Sequence, residues 1–183
     1  PEPWRTLWSA RWGAGLVAAA DRQFGRVPPT DLALRDPAMT GTWAERLGAV
    51  SLASGHLRLD GAPAIAGLPG YAEGAWWVQD IAAQLPVRLL GPVEGRRVLD
   101  LCAAPGGKTM QLAAAGAEVT ALDSSGRRME RLAANLQRTG LAARTIVADA
   151  LVWTPDAPFD AILLDAPCSA TGTFRRHPDV LYR

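Results

Sequence analysis

The chain has 183 residues, 49% of them apolar and 20% charged, with a formal net charge of +1. That is enough apolar material to fill one globular domain, or a domain with a small appendage. No run of roughly 18 apolar residues occurs, and the first residues include Glu2, Trp4 and Arg5 where a signal peptide needs an apolar stretch, so a cytoplasmic protein without a membrane partner is expected.

The small net charge neither requires nor excludes a nucleic-acid partner. Its make-up says more, because the 19 basic residues include a single lysine, Lys108. Cys102 and Cys168 are the only cysteines, each in a stretch marked by Gly or Pro, which predicts reduced thiols rather than a disulfide framework.

In chain order, Trp4, Trp8 and Trp12 recur every four residues and line one face of a first helix. Such a stripe predicts core packing, with stacking on RNA bases as the rarer use. Val27-Pro28-Pro29 ends this region, and residues 31–35 follow as a short strand. Thr42 and Glu45 fit a capping box leading into Ala44, Leu47 and Val50. Residues 51–61 alternate around Leu57 and Leu59 as a strand or hairpin, with His56 as exposed decoration. Residues 62–74 concentrate Gly and Pro and read as a linker, dividing a small α+β unit (1–70) from a larger α/β unit (71–183). From Ala75 the run AWWVQDIAAQLPVRLL reads as a helix disturbed by Pro86, with Trp76, Trp77, Ile81 and Leu85 near one face and Gln79 and Asp80 at the start of the larger unit.

The larger unit is organised by RRVLDLCAAPGGKT, residues 96–109, which reads as strand, tight glycine loop, helix. Adjacent glycines let the backbone approach a ligand, and the helix start offers free N–H groups and a positive dipole end. A phosphate-cradling Walker loop matches Gly107, Lys108 and Thr109 but needs glycine where Cys102 stands. A nucleoside-binding loop of the Rossmann kind needs an acid at the end of the next strand, and AEVTALD supplies Asp123. SSGRRMERLAANLQRTG is then a helix capped by Ser124 or Ser125, with Met129, Leu132 and Leu136 as its buried stripe and Gly140 as its stop. RTIVAD and FDAILLDAPC complete four strands, the last an apolar run typical of a strand buried on both faces. The fold class is α/β with a largely parallel sheet, and Asp123, Asp149 and Asp165 converge with the loop at the strand C-termini. In DAPCSATGTFRRH, the Pro-Cys pair can expose a thiolate at Cys168, and Ser169, Thr171 and Gly172 keep the next loop small.

LCAAPGGKT, ALD, the strand-end Asp149 and LLDAPCSATG together resemble the Nol/Nop/Sun (RsmB-like) family of S-adenosylmethionine-dependent RNA cytosine carbon-5 methyltransferases. The likeness is strong from Gly70 to Arg183 and includes LPGYAEGAWWVQDIAAQL; residues 1–70 are more loosely similar to the small RNA-facing subdomain before this core. The resemblance implies a Rossmann-like methyltransferase core in which Cys102, Ala103, Ala104, Pro105, Gly106, Gly107 and Lys108 wrap the methionine part of the cofactor. It further implies that Asp123 holds the ribose hydroxyls, Asp149 lies by the adenine, and Arg128 is on the cofactor side. Lys108 and Asp165 would face the reacting cytosine, Asp165 also touching the cofactor, and Cys168 would serve product release.

Carbon 5 of cytosine is a poor nucleophile, so a thiolate must first add to carbon 6, and a second group must later remove the carbon-5 proton. The family's nucleophile lies in a later Thr-Cys-Ser motif outside these 183 residues, so a fragment without turnover is expected. Arg175 and Arg176, with His177, are candidate contacts to RNA phosphates. Ribosomal RNA is the favoured partner and transfer RNA the alternative, with a monomer and no metal expected; an RNA-binding module without turnover and a P-loop hydrolase are the competing functions.

Overall fold

The computed structural model describes residues 2–23, 26–170, 173–174 and 176–182. They form two compact units, one of Pro1–Pro29 with Pro167–Arg183 and one of Thr30–Ala166.

In the first unit, helices α1 (Glu2–Trp12) and α2 (Ala14–Asp21) are joined at Gly13. The tryptophan stripe forms on α1, with Trp4 and Trp8 at 5.9 Å, Trp8 and Trp12 at 6.4 Å, and Trp8 and Phe174 at 5.7 Å. It does not form a core: no α1 residue is buried, and Trp12 is 60% exposed. The correction has a simple cause, since the aromatic rings pack mainly on one another.

The second unit contains two sheets. Strand β1 (Thr30–Leu34) pairs antiparallel with β2 (His56–Leu59) on one side and β3 (Trp76–Val78) on the other. Between β1 and β2, α3 covers Thr40–Leu47. Its start lies earlier than the expected capping box, because a 3-10 turn at Pro37–Met39, capped by Asp36, leads straight into it. Gly48 ends the helix at φ 59°, and Val50 bridges to Arg58 instead of continuing the helix.

Two further expectations change here. His56 is fully buried, not exposed, because it enters the sheet beside Asp31. Trp76 and Trp77 lie on β3 rather than a helix, and only then does α4 (Ile81–Leu89) begin, with Asp80 accepting a capping bond from Ala82 N and Pro86 inside the helix. Pairing with β1 competes successfully with helix for these residues, since aromatic rings suit a pleated, buried surface.

The Gly/Pro stretch is packed rather than loose. Gly70 takes φ 87°, and a Cβ there would stand 2.5 Å from the Trp43 ring and 2.7 Å from Trp76 Nε1. Trp76 Nε1 donates to Pro69 O at 3.0 Å, and Arg138 lies 4.2 Å above the Tyr71 ring. Residue 70 lies within the unit Thr30–Ala166.

The second sheet is parallel, in the order β6 (Arg144–Val147), β5 (Glu118–Asp123), β4 (Arg97–Leu101), β7 (Ala161–Leu164). Helices α5 (Gly107–Ala114) and α6 (Gly126–Thr139) link β4 to β5 and β5 to β6. Ser125 caps α6 and Gly140 ends it at φ 64°. Met129, Leu132 and Leu136 are buried with Met110, Ala121 and Trp77, while Val87, Val93, Val98, Leu112, Val119 and Leu163 form a second cluster. At the sheet edge Leu163 is buried, but Ile162 and Leu164 are 58% and 62% exposed, so β7 shows one bare apolar face where burial on both was expected.

Candidate active site

The site is built where β4 ends. Cys102 takes φ 58°, which turns the chain out of the strand through Ala103, Ala104 and the cis Ala104–Pro105 peptide. Gly106 then takes φ 103° and lies against α6, where a Cβ would come within 2.9 Å of Leu132 Cγ. Only glycine fits that turn and that approach together. Gly107 opens α5 with no side-chain cap, so the first N–H groups of the helix face the loop.

The neighbouring strand supplies the support. Asp123 is 3% exposed and accepts from Ala104 N at 3.2 Å and Ser125 N at 2.9 Å. Arg128 lies 3.2 Å from the same carboxylate and donates to Ala104 O, while Asn135 Nδ2 donates to Pro105 O at 3.1 Å. Three side chains thus hold the loop backbone from behind.

In front of the loop lies a cavity of about 230 Å³, walled by Val78, Gln79 and Asp80 on one side and by Cys102, Pro105, Lys108 and Asp165 on the other. Lys108 Nζ and Asp165 Oδ2 are 2.7 Å apart, the lysine largely enclosed and the acid 58% exposed. A cavity of about 280 Å³ between β1, α4 and α5 is larger, but its buried amide Gln84 is bonded to Leu32 O and Gln79 O and accepts from Arg88. Chemistry rather than volume marks the smaller cavity.

Its wall also holds Asp100, which is 1% exposed. Thr109 Oγ1 donates to Asp100 Oδ2 at 2.6 Å, and Oδ1 has no hydrogen-bond partner. Burial pushes this carboxyl up to about 6, against the Thr109 hydrogen bond and the Lys108 charge, with Asp165 and Asp123 adding to the rise. Asp100 was not singled out in the sequence, although an acid inside VLDL, an otherwise apolar strand, is a visible signal.

Of the residues expected at the site, Cys102, Ala103, Ala104, Pro105, Gly107, Lys108 and Asp165 line the cavity together. Gly106, Asp123 and Arg128 form the support behind it. Asp149 lies two residues beyond β6, exposed, where its carboxylate accepts from Leu151 N at 2.9 Å. Cys168 belongs to the other compact unit and is exposed, with Ala170 N 3.3 Å from its sulfur. Arg176 is exposed and donates to Pro29 O at 2.6 Å, whereas Arg175, Thr171 and Gly172 lie outside the described residues.

The family model for the 16S rRNA methyltransferase RsmB/F matches residues 87–183. The chain belongs to this family. Ribosomal RNA small subunit methyltransferase B of Cronobacter sakazakii is 40% identical over 190 residues, covering 96% of this chain and 43% of that protein. Its namesake from Erwinia tasmaniensis is 49% identical over 129 residues, covering 68% and 30%. The chain thus spans less than half the length of these relatives. A methyltransferase homolog from Pyrococcus horikoshii superposes with a TM-score of 0.73 at 26% identity, over 90% of this chain and 58% of that one. NSun6 from the same organism, solved with SFG, superposes with a TM-score of 0.77 at 16% identity, over 93% and 71%, a likeness of fold.

Membership of the RsmB/F family agrees with the α/β core and removes the Walker reading. A phosphate loop needs the hydroxyl after its lysine free for a metal ion, whereas Thr109 is fully buried and spends its hydroxyl on Asp100. Among the described residues no cluster of three His, Cys, Asp or Glu side chains is placed to hold a metal, and no helix is long and apolar enough to cross a membrane.

Proposed function

We propose that this chain is the cofactor-binding part of an S-adenosylmethionine-dependent enzyme that methylates carbon 5 of a cytosine in ribosomal RNA. The observation that carries the proposal is the Lys108–Asp165 pair, held at 2.7 Å in the wall of the glycine-loop cavity. The residues fit the cofactor. Gly106 and Gly107 keep side chains out of its path, Asp100 offers a buried oxygen without a partner, and Asp123 stands behind the loop. When bound, the cofactor supplies an electrophilic methyl group.

The chain's own groups then do the positioning. The loop from Cys102 to Lys108 and the uncapped start of α5 receive the amino-acid part, and Asp123 accepts the ribose hydroxyls in place of its contact with Arg128, whose side chain is 47% exposed. Asp149, exposed just past the end of β6, borders the adenine. Lys108 and Asp165 bond the edge of a cytosine that has left its stack, and Asp165 steadies the ring while a thiolate adds to carbon 6. Cys168 serves release of the methylated base. The relatives' name supports ribosomal over transfer RNA. Residues 1–70 are assigned to the RNA-facing side, with Arg175 and Arg176 on phosphates, and the protein acts as a cytoplasmic monomer.

Calorimetry tests this reading. S-Adenosylmethionine should bind and ATP at the same concentration should not; ATP binding, or no heat with S-adenosylmethionine, overturns the reading. Incubation with S-adenosylmethionine and RNA containing 5-fluorocytidine should trap no adduct through Cys168, and a trapped complex lost in Cys168→Ala refutes the role given to that cysteine.

A further inference from the structure

Thr109 and Asp100 are among the most enclosed polar side chains of the molecule, 0% and 1% exposed. Their 2.6 Å bond joins the end of β4 to the first turn of α5, spanning the whole loop between them. That turn has no side-chain cap, its N-cap being Gly106, so the Thr109 hydroxyl ties it directly to β4. Adjacent residues on a helix diverge by roughly 100°, so turning Thr109 inward fixes the direction in which Lys108 leaves the helix. Lys108 is the residue just before it, and its ammonium reaches Asp165 at 2.7 Å.

We propose that Asp100 and Thr109 are a positioning pair for Lys108, clamping the first turn of α5 to β4 so that the ammonium is delivered to Asp165. The proposal rests on the proposed function only in giving Lys108 a substrate to face; the clamp belongs to the chain without ligand. Thr109 donates to a carboxylate when Asp100 is ionised, and a charge-assisted bond is about twice as strong as a neutral one. Protonation of Asp100 therefore loosens the clamp. The charged groups facing Asp100 are Lys108 on α5, Asp123 at the end of β5 and Asp165 after β7, with Asp80 on the opposite wall of the cavity.

The single lysine makes the test direct. Protein labelled with ¹³C and ¹⁵N only in lysine gives one Cε–Nζ signal, that of Lys108. In the wild-type chain this signal should shift through pH 5 to 7 with a midpoint near 6, the value to which Asp100 is pushed. At pH 8, Asp165→Asn should move the signal strongly in the wild type and in Thr109→Ser, which keeps the hydroxyl, but much less in Thr109→Val, where the midpoint should also rise. A signal flat between pH 5 and 7, or an Asp165→Asn response in Thr109→Val equal to that of the wild type, overturns the proposal. So does a Thr109→Ser chain that behaves like Thr109→Val. The titration needs only the unmutated protein, so it stands even if Thr109→Val does not fold. Cofactor binding is measured separately by calorimetry, so either reading can fail alone.

Discussion

Asp31 in the antiparallel sheet and Asp100 in the parallel sheet are 2% and 1% exposed, yet they are treated differently. Asp31 takes two bonds from Arg58, at 2.7 and 2.8 Å, a third from Ile81 N at 3.0 Å, and has His56 Nε2 at 3.5 Å. Burial alone would raise its pKa, but the Arg58 bond, the Ile81 amide and the positive charges outweigh it and hold the carboxyl below its ordinary value. Asp100 has one donor, Thr109, and burial prevails. A buried acid whose oxygens are all answered holds a fold together. One left half-answered beside a cavity is held ready for something else.

The difference can be broken most forcefully at Asp31. Asp31→Ala should cost about 3 to 4 kcal/mol in denaturant unfolding, because Arg58 and Ile81 N both lose their partner and the buried His56 loses the carboxylate beside it; the 30% exposure of Arg58 keeps the loss to the lower part of the range for buried pairs. A loss below about 1 kcal/mol would show that the cluster is no stronger than a surface pair.

Asp100 predicts a pH-dependent effect of the opposite sign. Its folded value of about 6 lies above the ordinary 3.8, so between those values the folded chain holds a proton that the unfolded chain has released. Stability from this group is therefore full below 3.8 and is lost as pH rises through about 6. Asp100→Asn does not titrate, so its stability relative to wild type should improve by about 2 to 3 kcal/mol between pH 3.5 and 7.5, read from paired denaturation curves. A constant difference over that range means that Asp100 is not strained by ionisation.

Asp123 stands between these extremes, buried and held by two backbone donors behind the loop. Asp123→Ala should weaken S-adenosylmethionine binding by roughly 1 to 3 kcal/mol, the cost of leaving such donors unpaired. Calorimetry that finds the affinity unchanged removes the ribose role.

The same two regions divide what the sequence made legible. The parallel sheet was readable because its signals are local: apolar strands, Gly106 and Gly107 at the loop, Ser125 and Gly140 at the ends of α6. The glycine loop and Asp165 share one cavity at the C-terminal edge of that sheet, while Asp123 lies behind the loop and Asp149 is not in the cavity wall. In the antiparallel region the deciding partners are distant. His56 is buried because Asp31 lies 25 residues away in sequence and adjacent in space, and Trp76 joins a strand because β1 offers its open edge. Neither fact leaves a periodic trace. Asp100 escaped for a different reason: its neighbours spell a strand so clearly that the acid within it passed as part of the pattern.

The smallest effect tests whether the antiparallel region really leaves so little unanswered. The capping-box pattern puts the helix start at Thr42, but Thr42 is exposed within α3, and it is Thr40 whose hydroxyl donates to Pro37 O at 2.6 Å and accepts from Gly55 N at 2.8 Å. That one oxygen ties the start of α3 to the turn before β2. Thr40→Ala should therefore cost about 1 kcal/mol, leaving the Gly55 amide without its acceptor. Thr42→Ala should stay within about 0.5 kcal/mol of wild type, since it loses no bond and gains helix propensity. Equal losses at the two positions would restore Thr42 as the cap. A loss at Thr40 alone shows that the hydroxyl is spent on closing the fold, just as the Thr109 hydroxyl is spent on Asp100, but with both its donor and its acceptor roles filled by backbone groups.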